Sequence, residues 1–221
     1  MHTLRDDVVV LTPPTLDDVD DITLACQDAE IREWTTVPSP YLREHAVGFV
    51  THMIEPGWAT GSDLVWAVRV DGRLMGAIGL HGIAEGSGEI GYWLAPWGRR
   101  QGLLGRAVGL VLDHAFDPAG VGLLRVTWHA YVGNWPSLRV AWRAGFEIEG
   151  VSRLDGVQRG VRRDSWRGTL LRHDPRAPRA PWPDEAPVEL RAVVPQVRGM
   201  PVPVRLSPPA DSTSAPAGGE G

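Results

Sequence analysis

The sequence predicts an α+β domain of the α/β-sandwich type, a mixed and mostly antiparallel sheet flanked by helices. Three observations predict it. Short apolar or alternating runs outnumber the amphipathic helical stretches. The elements read β-α-α-β-β-β-α-β-α-β-β, with one helix between the two middle strands, which is not the strict alternation of a doubly wound sheet. Asp71-Gly72, set between two alternating runs, is a strong type I′ hairpin signal.

In chain order, residues 8–11 form a strand ended by Pro13-Pro14, and Thr15 caps a helix over 16–27. A second helix covers 43–54 and stops before Pro56. Strands follow at 64–70, 74–80 and 89–94, the last ended by Ala95-Pro96. Residues 102–116 have helical periodicity, with Leu103, Ala107, Leu110, Val111 and His114 near one face. A strand at 123–132 leads to a helix at 135–144, which starts after Asn134 and ends at Gly145, a natural left-handed stop. Strands at 147–153 and 161–171 complete the sheet. Dense periodicity defines one domain over 1–173. From 174 to 221 prolines crowd in and little apolar surface is available to offset ordering entropy, so this tail is expected to be largely disordered, with a short strand at 188–194 as the exception.

The chain has 221 residues, 43% hydrophobic and 22% charged, with a formal net charge of -5. That balance without a basic tract argues against a nucleic-acid partner. All 22 cationic side chains are arginine, so no lysine can form a Schiff base. The lone Cys26, the absence of a membrane-length apolar run and an N-terminus carrying Asp6 and Asp7 where a signal region would be apolar point to a cytoplasmic protein.

The segment Arg99-Arg100-Gln101-Gly102-Leu103-Leu104-Gly105-Arg106-Ala107 follows a strand and opens a helix. A helix N-terminus presents unpaired N–H groups and the positive end of the dipole, which suits a diphosphate. Glycines allow close backbone approach and the arginines add charge. The alternative is a solvated basic helix start with a packing glycine. The spacing matches neither a Walker A loop nor a dinucleotide fingerprint.

This segment sits between the strand Glu89-Ile90-Gly91-Tyr92-Trp93-Leu94 and the stretch Asn134-Trp135-Pro136-Ser137-Leu138-Arg139-Val140-Ala141-Trp142-Arg143-Ala144-Gly145-Phe146. The trio, in this order and spacing, resembles the GCN5-related N-acetyltransferase (GNAT) superfamily, and within it the RimJ/RimL branch of ribosomal-protein N-terminal acetyltransferases. The resemblance covers about residues 4–174, with support from Leu11-Thr12-Pro13, from residues 33–41 and from residues 163–171. In the family pattern Arg/Gln-x-x-Gly-x-Gly/Ala, Arg99 and Gly102 match, while Leu104 occupies the small-residue position.

The resemblance implies a sheet splayed in a V between its two central strands, parting at a β-bulge, with acetyl-CoA as co-substrate and no metal. Backbone groups of Trp93 and Leu94 would pair with the pantetheine arm. Amides from Gln101 to Gly105, including those of Leu103 and Leu104, would hold the pyrophosphate with Arg99 and Arg100. Asn134 would hydrogen-bond the pantetheine. An amine would attack the thioester directly in a ternary complex. Glu89 is the candidate base, acting through water, or else an exposed strand-end carboxylate. Many members carry a Tyr where this chain has Ala141, and Ser137 is the candidate acid in its place, or else a capping serine. His129 could relay protons or be a plain strand histidine. Trp34 and Tyr41 would shape the acceptor site. His45 and His52 lack metal-ligand partners at suitable spacing.

Three readings of function stand at this point. The first acceptor class is a protein N-terminal α-amine, whose pKa of about 7.7–8.0 leaves a neutral fraction without a strong base. The second is a small molecule, such as an amino acid, polyamine or aminoglycoside. The third reading is an acyl-CoA-binding sensor without turnover. The chain would act as a monomer or homodimer, with neither a membrane nor a nucleic acid as partner.

Overall fold

The structure is a computed structural model that describes residues 3–182 and 200–201. The sheet, in order β1-β2-β3-β4-β5-β6-β8-β7 with β9 against β8, is built from β1 (Leu4–Arg5), β2 (Val10–Thr12), β3 (Leu64–Val70), β4 (Arg73–Ala84), β5 (Ser87–Leu94), β6 (Arg125–Tyr131), β7 (Glu147–Gln158), β8 (Val161–Leu171) and β9 (Met200–Pro201). Every adjacent pair is antiparallel except β5 with β6. This is the mixed, helix-flanked sheet expected from the sequence.

Helices α1 (Val19–Ala25), α2 (Ala29–Trp34), α3 (Arg43–Gly48) and α4 (Glu55–Thr60) pack on one face, and α5 (Leu103–Phe116) and α6 (Trp135–Arg143) on the other. Strand alternation sorts the core. In β3, Trp66 and Val68 join the α5 side, whereas Val65 and Ala67 face the first four helices. The stripe Leu103, Ala107, Val108, Val111, Leu112 and Ala115 seals α5 against the sheet.

Several boundaries differ from the sequence expectations, each for a physical reason. The strand expected at 8–11 begins at Val10, as β2, because the Asp6 carboxylate accepts from the Val8 and Val9 amides and turns the chain there. The second helix does not stop before Pro56: the ladder widens to π geometry over Phe49–Ile54, with the Glu55 amide donating to the Val50 carbonyl, and the proline enters at the start of α4. Helix α2 was absent from the sequence reading; Asp28 caps it, accepting from the Glu30 and Ile31 amides at 3.1 and 3.0 Å. Asp71 and Gly72 both have positive φ, as a type I′ turn requires. Gly145 ends α6 at φ +92. Trp182 lies against Trp142 and Trp135 of α6, while the strand expected at 188–194 lies outside the described residues.

The feature that positions the site is the β5–β6 pair. It is laddered only from Ser87–Arg125 to Ile90–Trp128. Beyond that, β5 runs on to Leu94 along β4, and β6 runs on to Tyr131 along β8. The sheet therefore opens in a V. The register of β5 against β4 is unbroken from Glu89 to Leu94, so the strands part without the bulge expected there. Each has a full partner on its outer side, and the start of α6 occupies the gap, where Tyr92 donates to the Ser137 carbonyl at 3.1 Å.

Candidate active site

Two cavities, of about 830 and 920 Å³, lie on either side of this opening and share Trp34, Thr35, Tyr92, Trp93, Asn134 and Ser137 as lining.

The smaller cavity runs between α5 and α6. At its floor the loop before α5 turns through Arg100 and Gly102, both left-handed at φ +62 and +73. A Cβ built at Gly102 or Gly105 meets nothing within 4 Å, so the first turn of α5 faces open space. Leu103 buries its side chain in the core and leaves its amide at the helix start, while Leu104 lines the cavity. Arg100 is exposed on the rim. Arg99 also reaches the lining, but its guanidinium is engaged by Asp28 and by Glu30 at 2.9 Å, which braces the loop against α2. Gln101 turns back to donate to the Trp97 carbonyl and lies outside the lining. Trp93 and Leu94 present strand backbone along one wall. With four arginines against two carboxylates, this cavity suits an extended, phosphate-bearing ligand.

Asn134 caps α6 by accepting from the Ser137 amide at 3.2 Å. That engages the Asn134 carbonyl oxygen and leaves its NH₂ to donate elsewhere. The Ser137 hydroxyl accepts from the Trp128 indole at 3.2 Å and donates to the Tyr92 hydroxyl at 3.4 Å. Burial pushes the Tyr92 phenol well above its ordinary range, against the pull of Ser137 and Trp128, so it stays protonated. Ser137 thus belongs to a network whose other members, Tyr92 and Trp128, carried no side-chain role in the sequence reading.

The larger cavity is lined by Glu44, Glu89, Asp155 and four histidines, and by no arginine. Glu89 and His129 are brought together, with Oε2 to Nδ1 at 2.8 Å, in the geometry of a carboxylate-oriented imidazole. Tyr41, 5% exposed, forms part of the wall and packs edge-on against His45. Trp34 sits at the end of α2 beside Gly133, and Arg163 stacks on both Trp34 and Tyr131. The β7–β8 hairpin is pinned to this wall by Gln158, which donates to the carbonyls of Arg32, Glu33 and Thr35. A second pair, Asp63 and His81, also went unnoticed in the sequence, because the expected strand ended one residue before His81.

Comparison with known proteins agrees with this geometry. A family model described as an acetyltransferase (GNAT) domain matches residues 9–147. The chain is 36% identical over 106 residues to YdaF of Bacillus subtilis (strain 168), a protein named as a ribosomal N-acetyltransferase; the match takes in 47% of this chain and 57% of YdaF. The chain spans about half the length of the curated relatives it matches. Among solved structures, RimL, a ribosomal L7/L12 alpha-N-protein acetyltransferase in complex with coenzyme A, superposes with a TM-score of 0.70 at 17% identity, covering 77% of this chain and 98% of that one. MccE, a microcin C7 self-immunity acetyltransferase in complex with acetyl-CoA and AMP, superposes with a TM-score of 0.69 at 20% identity, covering 75% and 93%.

Proposed function

The chain belongs to the GNAT acetyltransferase family, and from that premise we propose that it is an acetyl-CoA-dependent N-acetyltransferase whose acceptor is a protein N-terminal α-amine. The observation that carries this reading is the sorting of charge between two cavities that meet at the opening of the sheet. The arginine-rich one suits the phosphates of the donor, and the carboxylate-lined one suits an ammonium. The RimL and YdaF names support the acceptor class, and the MccE complex supports the donor.

The donor supplies an acetyl thioester. The amides at the first turn of α5, with Arg100 beside them, hold its pyrophosphate, and Arg99 keeps that loop in place through α2. The open space at Gly102 and Gly105 fits such a group. The edge of β5 that faces β6, unpaired at Trp93 and Leu94, offers backbone partners to the pantetheine amides, and the Asn134 NH₂ adds a donor from the facing wall. The Glu89–His129 pair is the base that receives the acceptor's proton, passed on through water or a neighbouring side chain. The Ser137 hydroxyl, which donates to the Tyr92 oxygen in the free site, donates its proton to the departing thiolate and takes one back from solvent. An α-amine with a pKa of about 7.7–8.0 needs only modest help to lose its proton near neutrality.

CoA-thiol release from acetyl-CoA is measured against N-terminal peptides, amino acids, polyamines and aminoglycosides. Turnover confined to peptides, with mass addition at the α-amine, is the expected result. Turnover confined to the small amines moves the acceptor class. Thermal stabilisation by acetyl-CoA without turnover points to a sensor, and failure to bind acetyl-CoA overturns the proposal.

A further inference from the structure

His81 lies outside the roles assigned above, yet it lines the larger cavity. It is the direct register partner of Glu89 across β4 and β5, so the two side chains stand on the same face. Its Nδ1 meets the Asp63 carboxylate at 3.2 Å. A carboxylate on Nδ1 fixes the proton there and leaves the lone pair on Nε2. Asp63 is itself held: it accepts from the Ser62 hydroxyl at 2.9 Å and from the Gly82 amide at 3.4 Å. Although burial opposes it, the Ser62 hydroxyl, His81 and the Gly82 amide keep the Asp63 carboxyl below the usual carboxylate range.

The ring lies over a pair of facing glycines. Gly79 and Gly91 are register partners, and a Cβ built at either would meet His81 Nε2, at 2.7 and 3.5 Å respectively. The strands carry no side chain at the one place where the imidazole lies. Gly91 is two residues further along β5 than Glu89, at the point where β6 departs and toward Trp93. Glu89 turns the other way, to His129 on β6. Among the described residues no hydrogen bond engages Nε2. The other titratable groups on this cavity are Glu44, His45 and His52 from α3 and the π segment, and Asp155 from the β7–β8 hairpin.

We propose that His81, oriented by Asp63, is the proton acceptor for the incoming amine, with Glu89–His129 as the pair that draws the proton onward. The inference rests on the acetyltransferase reading. In the step, an N–H bond of the acceptor ammonium breaks and an Nε2–H bond forms. The positive charge passes to an imidazolium paired with the Asp63 carboxylate, and the nitrogen keeps the electron pair that attacks the thioester carbonyl. Afterwards the imidazolium gives its proton to the Glu89–His129 pair, which releases it to solvent.

The test compares the wild-type chain with His81→Gln and Asp63→Asn in steady-state transfer from acetyl-CoA, with acetyl-CoA-induced thermal stabilisation as the check on folding and donor binding. His81→Gln is expected to lower kcat by about 10²-fold with the KM for acetyl-CoA unchanged, and to change the shape of the kcat–pH profile. Asp63→Asn is expected to lower kcat by a smaller factor. Imidazole added to His81→Ala is expected to restore part of the rate. A His81→Gln enzyme within about twofold of wild type and with the same pH profile overturns this inference alone. A wild-type chain that transfers no acetyl group overturns both this inference and the reading it rests on.

Discussion

Replacing Ser137 by Ala separates the structural and chemical roles of its hydroxyl. Trp128 is 1% exposed, and its indole N–H donates to that hydroxyl at 3.2 Å. Removing the acceptor leaves a buried donor unsatisfied, which costs about 1–3 kcal/mol. The lower end is expected, because the Tyr92 hydroxyl, bonded to the same Ser137 hydroxyl, is left to take up part of the loss. For a domain of this size each kcal/mol lowers Tm by about 2–4 °C. Trp128→Phe removes the donor, and the double variant removes both partners. The double variant should therefore be more stable than the sum of the two single changes predicts, by about 1 kcal/mol. Urea unfolding of the four proteins reads this coupling, and acetyl transfer by the folded Ser137→Ala chain reads the chemistry, with a fall in kcat of about 10²-fold expected. Strict additivity would refute the network. Unchanged kcat in a folded variant would refute the role of Ser137 as acid.

Further expectations follow from other contacts. Gly105→Asp places a carboxylate in open space at the first turn of α5; the fold should tolerate it, and acetyl-CoA affinity, read by calorimetry, should fall by about tenfold or more. Asp18, 5% exposed, meets both terminal nitrogens of Arg69 at 2.7 Å, so Asp18→Ala strands a largely buried guanidinium and should cost about 3–5 kcal/mol in denaturant unfolding. Burial pushes the Cys26 thiol up to about 12, so an alkylating reagent at neutral pH should modify it only as fast as the chain unfolds. Burial opposes ionisation of Asp28, but Arg99 and the Ile31 and Glu30 amides outweigh it and hold the carboxyl below its ordinary value. A folded value below the unfolded one stabilises above about pH 4 and is lost as pH falls through the folded value. Asp28→Asn should therefore flatten the acid limb of a stability–pH curve.

The sequence reading reached the hairpin at Asp71-Gly72, helices α5 and α6 and the order of the central strands, because each rests on local chemistry: a turn that needs positive φ, an apolar stripe, an N-cap and a terminal glycine. Glu89, Ser137, Asn134, Trp34 and Tyr41 all line the two cavities. What local chemistry could not supply were pairings made at long range. Asp28 caps α2 while binding Arg99, which is 71 residues away, and nothing in either neighbourhood announces the other. Pro56 reads as a stop unless the preceding turn is known to widen. His81 depends on a strand boundary and on Asp63, 18 residues earlier.

Past Ile90, the side of β5 that faces β6 is a strand edge inside the sheet and not at its rim. An unpaired edge on the outside of a protein is a template for sticking to other chains, and proteins usually blunt such edges with charge, proline or a bulge. Here the walls do that work. Helix α6, Trp34 and the β6–β8 arm line the opening, so this edge meets a cavity and not open surface. The fold can keep four residues of strand edge ready for a ligand without the self-association that such an edge would bring if it lay on the surface.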